Sequence, residues 1–267
     1  MEHNPFGRTS VLNVQAACKQ GRTFLEHLYF TAPYKVMRPF EQKDGGLEVM
    51  LMAASAGIME GDRQDFRFRV GSGARLTFVS QSYDKIHPMK EDCAKRTTSI
   101  DVAPGAVFCY NPQPTIPFQG SAFESAMTVH LADASSCFWL SEIFSCGRYA
   151  RGERFQYRFY HNLVEITRGD RLIYRDNTRF APARMDMAGL GLYEGYTHLF
   201  NLFVTRPKQP NLFVQQVREL LNAQPDCDGA VTELMDGDFA LRVLGRRAQQ
   251  LEIVSQEIHR IFLAANS

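Results

Sequence analysis

The sequence predicts a mainly β protein built from large stacked antiparallel β-sheets, β-solenoid-like in outline, with a small helix-strand-strand-helix element near the C-terminus. Between about residues 11 and 205, short runs alternate apolar and polar residues, which is the period of a half-buried strand. Glycine and proline turns separate these runs. The chain contains 20 Phe and 10 Tyr against one Trp, a composition that favours strands. Since no fixed-period repeat is visible, stacked sheets and a solenoid both remain open.

Size and charge exclude several classes of protein. The chain has 267 residues, of which 45% are hydrophobic, so it can bury an extensive core. Its 30 Lys and Arg residues balance 29 Asp and Glu residues, which gives no bias toward nucleic acid or acidic membranes. No apolar run reaches the roughly 20 residues that span a bilayer, and residues 1–10 lack the apolar stretch of a signal peptide. We therefore expect a cytoplasmic protein with neither a membrane nor a nucleic-acid partner.

The strands are predicted in order along the chain. Residues 65–70 alternate aromatic or aliphatic side chains with charged ones, and a Gly-Ser-Gly turn at residues 71–73 leads into a second alternating run at residues 75–80. Further strands are predicted at residues 49–54, 99–102, 106–110, 127–131, 155–159, 163–166 and 172–174. The last two flank an Arg-Gly-Asp turn at residues 168–170, so together they predict a β-hairpin.

The last sixty residues change in character. Apolar residues at helical spacing follow Pro210, and a second helical set lies between Leu251 and Phe262. Two strand-like runs separate these sets, joined by Asp-Gly-Asp at residues 236–238. We therefore divide the chain into a β-rich scaffold body, residues 1–205, and a small α/β C-terminal subdomain, residues 206–267, packed on the body as one unit. A subdomain that shares the core of the body is equally consistent with the pattern.

The common catalytic motifs are absent from the sequence. There is no Gly-Lys pair, which excludes the usual phosphate-binding P-loop, and no GxGxxG, GxSxG or HExxH motif. The seven histidines and six cysteines are scattered, without the spacing of a metal site. We expect a protein that is not an enzyme. The alternatives are a β-rich enzyme that uses Glu142 and Glu153 as a carboxylate pair, and a pure interaction module that never contacts metal.

Two glycines and an acidic residue form the first local pattern that stands out in the sequence. Gly57 and Gly61 lie four residues apart and permit a tight connection with positive φ. Asp62 then either caps the turn or points its carboxylate into a cavity. An ordinary strand-to-strand turn explains the pattern equally well.

Three further segments combine polar or rigid residues. Residues 80–87, which include Gln81, form a polar strand end whose side chains either satisfy backbone groups or, through His87, contribute to a metal site. Glu142 lies between apolar residues, where a carboxylate is costly unless it is paired or hydrated. Arg148 and Arg151 are its candidate partners, and a structural Arg–Glu pair is the simpler interpretation. Prolines at residues 112–117 enforce an extended segment.

Taken in order along the chain, several of these segments resemble one known family. The segments that carry the resemblance are residues 57–62, 80–82, 114–118, 147–153, 174–178 and 194–198. They are similar to the urease accessory protein family UreD, called UreH in Helicobacter, and the similarity covers nearly the whole chain. Residues 35–40 and 82–87 look especially like the Helicobacter branch. The positions that match the family motifs are Gly57, Gly61, Gln81, Pro114, Pro117, Gly147, Arg148 and Glu153.

The resemblance implies a scaffold for urease maturation. Such proteins bind the helical partner UreF directly and the GTPase UreG through it, and the resulting two-fold complex docks on apo-urease. The family implies no tightly bound cofactor, because nickel passes in transit through an internal water-filled tunnel. A conduit must bind its ion weakly enough to release it, which spaced carboxylates do better than a Cys/His cage. The matching acidic positions are Asp62, Glu142 and Asp176.

Overall fold

The structure is a computed structural model that describes residues 9–265. The first strands are β1 (Thr9–Lys19), β2 (Arg22–Phe30), β3 (Tyr34–Val36), β4 (Phe40–Glu41), β5 (Leu47–Ala53), β6 (Arg63–Val70), β7 (Arg75–Ser80), β8 (Asp84–Ile86) and β9 (Ala94–Val102). The later strands are β10 (Val107–Asn111), β11 (Thr115–Pro117), β12 (Ala122–Leu131), β13 (Cys137–Ser145), β14 (Phe159–Arg168), β15 (Arg171–Phe180), β16 (His198–Val204), β17 (Cys227–Glu233) and β18 (Phe239–Gly245). The helices are α1 (Pro210–Asn222) and α2 (Ala248–Ala264), with single 3₁₀ turns at Tyr149–Arg151 and Met235–Gly237.

Two stacked sheets make up the β structure. Sheet A has seven strands in the order β15-β14-β12-β9-β6-β1-β2. Sheet B has eleven strands, and its main path is β17-β18-β16-β13-β10-β7-β5-β3, with β4, β8 and β11 attached. The prediction of a mainly β protein with stacked sheets and a short C-terminal α/β element is confirmed.

The expectation of antiparallel sheets was wrong for the central strands. In sheet A, β1, β6, β9, β12 and β14 pair in parallel, as do β5, β7, β10 and β13 in sheet B. The reason is that the chain passes back and forth between the two sheets from β5 to β14, so the successive central strands of one sheet run in the same direction. Arg63, Lys95, Glu124 and His161 lie side by side in successive strands of sheet A. The numbers of residues between these four positions differ, so the passage of the chain between the sheets has no fixed-length repeat. A solenoid is therefore not confirmed.

Most of the predicted elements are present. The predicted hairpin is the antiparallel pair β14/β15, with Gly169 at positive φ in its turn. The two helical patterns are α1 and α2. The run at residues 155–159 was wrong as a strand, because β14 begins only at Phe159. Phe155 adopts a φ of 54° and packs on Tyr193, and Tyr157 packs on Phe144. A bent segment rather than strand pairing therefore buries Tyr157 and half-buries Phe155.

The C-terminal strands continue sheet B. β18 pairs with β16 along its whole length, so residues before and after position 205 lie in one sheet. Helices α1 and α2 pack against the outer face of this sheet in an apolar cluster that includes Trp139, Phe213 and Phe262. The division into a body and a subdomain stays a prediction. In residues 9–265, neither α1 nor α2 is long and apolar enough to cross a membrane.

An aromatic cluster fills one end of the space between the sheets. Phe68 of sheet A lies 5.0 Å from Phe78 and 5.1 Å from Phe108 of sheet B, measured between ring centroids. The chain of rings continues through Phe138 to Phe203. All five side chains are at most 1% exposed. We call these five residues the aromatic core.

Candidate functional site

The other end of the same space is polar. Along β13, Phe138 and Leu140 face the interior and are followed by Glu142, and along β6 the inward Gln64 precedes Phe66. The polar inward residues come from both sheets. They are Gln64, Arg96, Thr98, Asn162, Asp176 and Thr178 in sheet A, and Tyr110, Glu142 and Asn201 in sheet B.

Three adjoining cavities follow this polar end, and each contains one carboxylate that the sequence singled out. The Asp62 cavity has a volume of about 590 Å³, the Glu142 cavity about 30 Å³ and the Asp176 cavity about 480 Å³. The first two share walls at Asp84 and Arg96, and the last two share walls at Thr178. We call the series the polar passage. The Glu142 cavity is its narrowest part, with room for one or two water molecules.

Glu142 lies in that narrow part and pairs with an amide rather than with arginine. Asn162 Nδ2 donates a hydrogen bond of 3.1 Å to Glu142 Oε2. Burial raises the pKa of Glu142 to about 7, and the negative charge of Asp176 adds to the effect. The side chain keeps some accessible surface because it faces the cavity. The predicted pairing of Glu142 with Arg148 or Arg151 was wrong, since Arg148 bonds Glu153 and no ion pair joins Arg151 to Glu142 in residues 9–265.

Two uncharged oxygens accompany Glu142. Asn201 lies directly opposite Glu142 in the β13/β16 ladder, and Asn162 faces it from sheet A. The Oδ1 atoms of Asn162 and Asn201 are buried, and neither has a hydrogen-bond partner within residues 9–265. Carboxylate and amide oxygens are ligands that hydrated divalent cations accept. Among the described residues that line the narrow part of the passage, oxygen acceptors predominate and neither a cysteine nor a histidine is present.

An ion pair marks the neck between the Asp62 and Glu142 cavities. Arg96 Nη1 lies 2.7 Å from Asp84 Oδ2, and Arg96 Nε donates to Gln64 Oε1 at 2.8 Å. The guanidinium also lies 5.0 Å from the ring centroid of Phe66. Asp84 neutralises the positive charge that would otherwise repel a cation at this point.

Asp62 fulfils both roles that the sequence left open. Its Oδ2 accepts a hydrogen bond of 2.8 Å from the N–H of Met59, which caps the turn, and the residue also lines the Asp62 cavity. The turn depends on Gly57, which has a φ of 148°. A Cβ atom there would lie 2.3 Å from the carbonyl oxygen of Lys85, so only glycine allows this close approach.

Asp176 lies at the other end of the passage. Its two oxygens each accept from Nη2 of Arg242 at 3.0 Å, and Oδ1 also accepts from the hydroxyl of Thr178 at 3.0 Å. Asp176 belongs to sheet A and Arg242 to sheet B, so this ion pair links the two sheets beside the Asp176 cavity.

Three of the remaining motif positions, Gly147, Arg148 and Glu153, form a separate structural cluster. Arg148 holds Glu153 through two hydrogen bonds, and the N–H of Gln119 donates to the same carboxylate at 3.1 Å. These bonds lower the pKa of Glu153, whereas that of Glu142 is raised, so the two carboxylates have different environments. Gly147 has a φ of 137° beside the carbonyl oxygen of Glu153.

The proline-rich segment is extended, as the sequence predicts. It contains β11, which pairs with β8 and β13. The carbonyl oxygen of Pro114 accepts from the N–H of Asp84 at 3.0 Å, and Pro117 is buried. The N–H of Gln81 donates to the carbonyl oxygen of Leu51 at 2.9 Å. This segment and Gln81 therefore build the walls around Asp84.

The predicted metal role of His87 has no support from geometry. One ring nitrogen of His87 lies 3.0 Å from the carbonyl oxygen of Ala56. Across residues 9–265, no three His, Cys, Asp or Glu side chains are grouped closely enough to hold a metal ion.

Sequence reasoning missed Arg96, Asn162, Asn201 and Arg242. For Asn162 and Asn201 a signal was available, because each interrupts the apolar face of its strand in the same way as Glu142 does. For Arg96 and Arg242 no such signal exists. Both are ordinary strand arginines in sequence, and only the fold brings them to carboxylates that are distant along the chain.

Comparison with known proteins identifies the family. Residues 8–266 match the family model of the UreD urease accessory protein. The urease accessory protein UreD of Acetivibrio thermocellus is 36% identical over 97% of this chain and 98% of its own length. The UreH proteins of Helicobacter acinonychis and Helicobacter pylori strain G27 are 35% and 33% identical, over 90% and 97% of this chain and 90% and 96% of their own lengths. The chain belongs to the UreD/UreH family of urease accessory proteins.

Proposed function

We propose that this chain is a non-enzymatic scaffold that delivers nickel to apo-urease, and that the polar passage conducts the ion. The observation that supports the proposal most strongly is the position of Asp62, Glu142 and Asp176. These residues lie far apart in sequence, yet each lines one of three adjoining cavities between the sheets.

The chemistry of the passage suits an ion in transit. Its acceptors are carboxylate, amide and hydroxyl oxygens, which bind nickel more weakly than thiolate or imidazole does. Glu142 at the narrow point has a pKa of about 7, so it exchanges a proton for a cation at little cost near neutral pH. Nickel is the cargo of this passage rather than a resident cofactor.

In this function the chain binds UreF directly, reaches the GTPase UreG through UreF and docks on apo-urease as a two-fold complex. The first test is co-purification of the tagged full-length chain with UreF, UreG and apo-urease. We expect all three partners to be recovered. Failure to recover UreF would overturn the scaffold role, whatever the passage does.

The second test separates conduction from binding. Asp62→Asn removes one passage carboxylate, and Asp101→Asn makes the same change on the outer face of sheet A, where Asp101 is 51% exposed. We expect the Asp62 variant to recover the partners normally but to activate urease at least several-fold more slowly, whereas the Asp101 variant activates it normally. Equal activation by both variants would favour an interaction module that never contacts nickel.

A further inference from the structure

The carboxylate of Asp176 is already occupied. Both oxygens accept hydrogen bonds from Arg242, and one accepts a third from Thr178. A carboxylate with this set of partners offers few lone pairs to an incoming cation. Of the three carboxylates that the sequence singled out, Asp176 is the only one that an arginine holds in an ion pair within residues 9–265. Asp84, at the neck of the passage, is held by Arg96 in a similar way.

The two partners of this ion pair differ greatly in exposure. The side chain of Asp176 is 9% exposed, whereas that of Arg242 is 62% exposed. Arg242 can therefore leave the carboxylate without unpacking the core, because most of its side chain already lies in solvent. Asp228 is exposed and lines the same cavity, so it offers the displaced guanidinium another carboxylate.

A guanidinium and a divalent cation compete for the same two oxygens. Arginine keeps its charge at all accessible pH values, so only displacement, and not deprotonation, frees Asp176. While Arg242 is in place, the Asp176 cavity holds a neutral pair. When it moves away, the cavity holds a buried carboxylate beside the hydroxyl of Thr178.

We propose that Arg242 is a latch on the polar passage: its guanidinium holds Asp176, and a divalent cation binds Asp176 only by displacing Arg242. The proposal rests on the proposed function and assigns a residue that controls how tightly the passage holds its cargo. Competition from Arg242 keeps the affinity of Asp176 for the ion low, so the ion is released rather than stored.

The test measures Ni²⁺ binding to the isolated full-length chain by titration calorimetry and equilibrium dialysis. Arg242→Gln removes the competing charge, and we expect its Ni²⁺ affinity to rise about tenfold, in keeping with the strength of a charge-assisted hydrogen bond. Arg242→Lys keeps the charge and should increase the affinity less. The matched control is Arg175→Gln. Arg175 lies on the same strand as Asp176, and its exposed ion pair with Glu165 lies outside the passage, so this variant should leave the Ni²⁺ affinity unchanged.

A double variant tests whether the gain in Ni²⁺ affinity depends on Asp176. Asp176→Asn alone should change Ni²⁺ affinity less than twofold, because the latch already occupies the carboxylate. Asp176→Asn combined with Arg242→Gln should abolish the tenfold gain. The latch is overturned if Arg242→Gln binds Ni²⁺ no more tightly than the wild type, or if the double variant keeps the gain. Arg242→Met provides a second charge-free variant if Arg242→Gln fails to fold.

These outcomes are distinct from failure of the proposed function, because Ni²⁺ binding is measured without UreF, UreG or urease. A gain that depends on Asp176, together with unchanged urease activation in every variant, would keep the latch and overturn conduction. If the passage variants activate urease more slowly but Arg242→Gln binds Ni²⁺ no more tightly than the wild type, conduction is supported and the latch is overturned.

Discussion

The aromatic core and the polar passage lie between the same two sheets and on many of the same strands, yet their chemistry is opposite. Along β13 the change from Phe138 to Glu142 takes four residues, and along β16 the change from Phe203 to Asn201 takes two. In the aromatic core five rings pack against one another, in one edge-to-face contact and three tilted contacts, with almost no exposure. In the passage, carboxylates and amides are buried with incomplete pairing. One end of the sandwich therefore supplies the stability that allows the other end to remain polar and hollow.

The largest expected effect is a loss of stability in the aromatic core. Phe108→Ala removes a fully buried ring that packs between Phe68 and Phe138, and it should lower the free energy of unfolding by about 3–5 kcal/mol. Chemical denaturation measures this loss. The control is Leu172→Ala, at a position 49% exposed, which should cost less than about 0.5 kcal/mol. Equal losses would contradict the assignment of the stabilising role to the aromatic core.

The next largest effect is a gain in stability: Glu142→Gln should raise the free energy of unfolding, by an amount that depends on pH. The pKa of Glu142 is about 7 in the folded chain against a usual value of 4.5, so the folded state binds this proton more tightly than the unfolded state. Glu142 should therefore contribute a loss of stability as the pH rises from about 4.5 to above 7, on the order of 3 kcal/mol. The lowered pKa of His198 acts in the opposite direction, so the comparison with Glu142→Gln isolates the contribution of Glu142. Glu142→Gln should lack this loss and be the more stable protein at pH 8.

Denaturation of both proteins at pH 5 and pH 8 measures this difference. The two proteins should differ in stability less at pH 5 than at pH 8. A wild type whose stability relative to Glu142→Gln does not change between these pH values would contradict the buried, uncompensated position of Glu142 in the passage.

The smallest effect concerns the amide oxygen of Asn201, which has no hydrogen-bond partner within residues 9–265. Asn201→Leu replaces the buried Oδ1 atom with apolar surface, and it should raise the free energy of unfolding by about 1 kcal/mol. The same change removes one oxygen from the narrow part of the passage, so it should slow the activation of urease. Thermal unfolding and an activation assay on the same preparation measure both effects. A destabilised variant that activates urease normally would mean that Asn201 has a structural role only.

The strands and the helices could be predicted largely from local periodicity, because alternation and helical spacing record which face each element buries. The direction of strand pairing could not be predicted in this way, since β6 and β9 look the same in sequence whether their neighbours run parallel or antiparallel. Parallel pairing follows from the crossovers between sheets, which are non-local.

In the candidate site, too, local sequence patterns predicted some residues but not the contacts that those residues make. Glu142 stands out because a carboxylate interrupts an apolar run, and Asp62 because it follows two glycines. The partners that give these residues their chemistry come from other strands. Asn162 reaches Glu142 from sheet A, and Arg242 reaches Asp176 from sheet B. No local pattern encodes such contacts, because the stacking of the two sheets creates them.

The most direct test of the polar passage is the nickel content of urease after incubation with complexes that contain the wild-type chain or Glu142→Leu. Leucine removes the carboxylate at the narrowest point and presents an apolar surface to the cation. We predict that the Glu142→Leu complex assembles in the same yield and that urease receives at least about tenfold less nickel, as expected when an ion loses its ligand in a low-dielectric constriction. Equal nickel loading by the two complexes would contradict conduction through the passage.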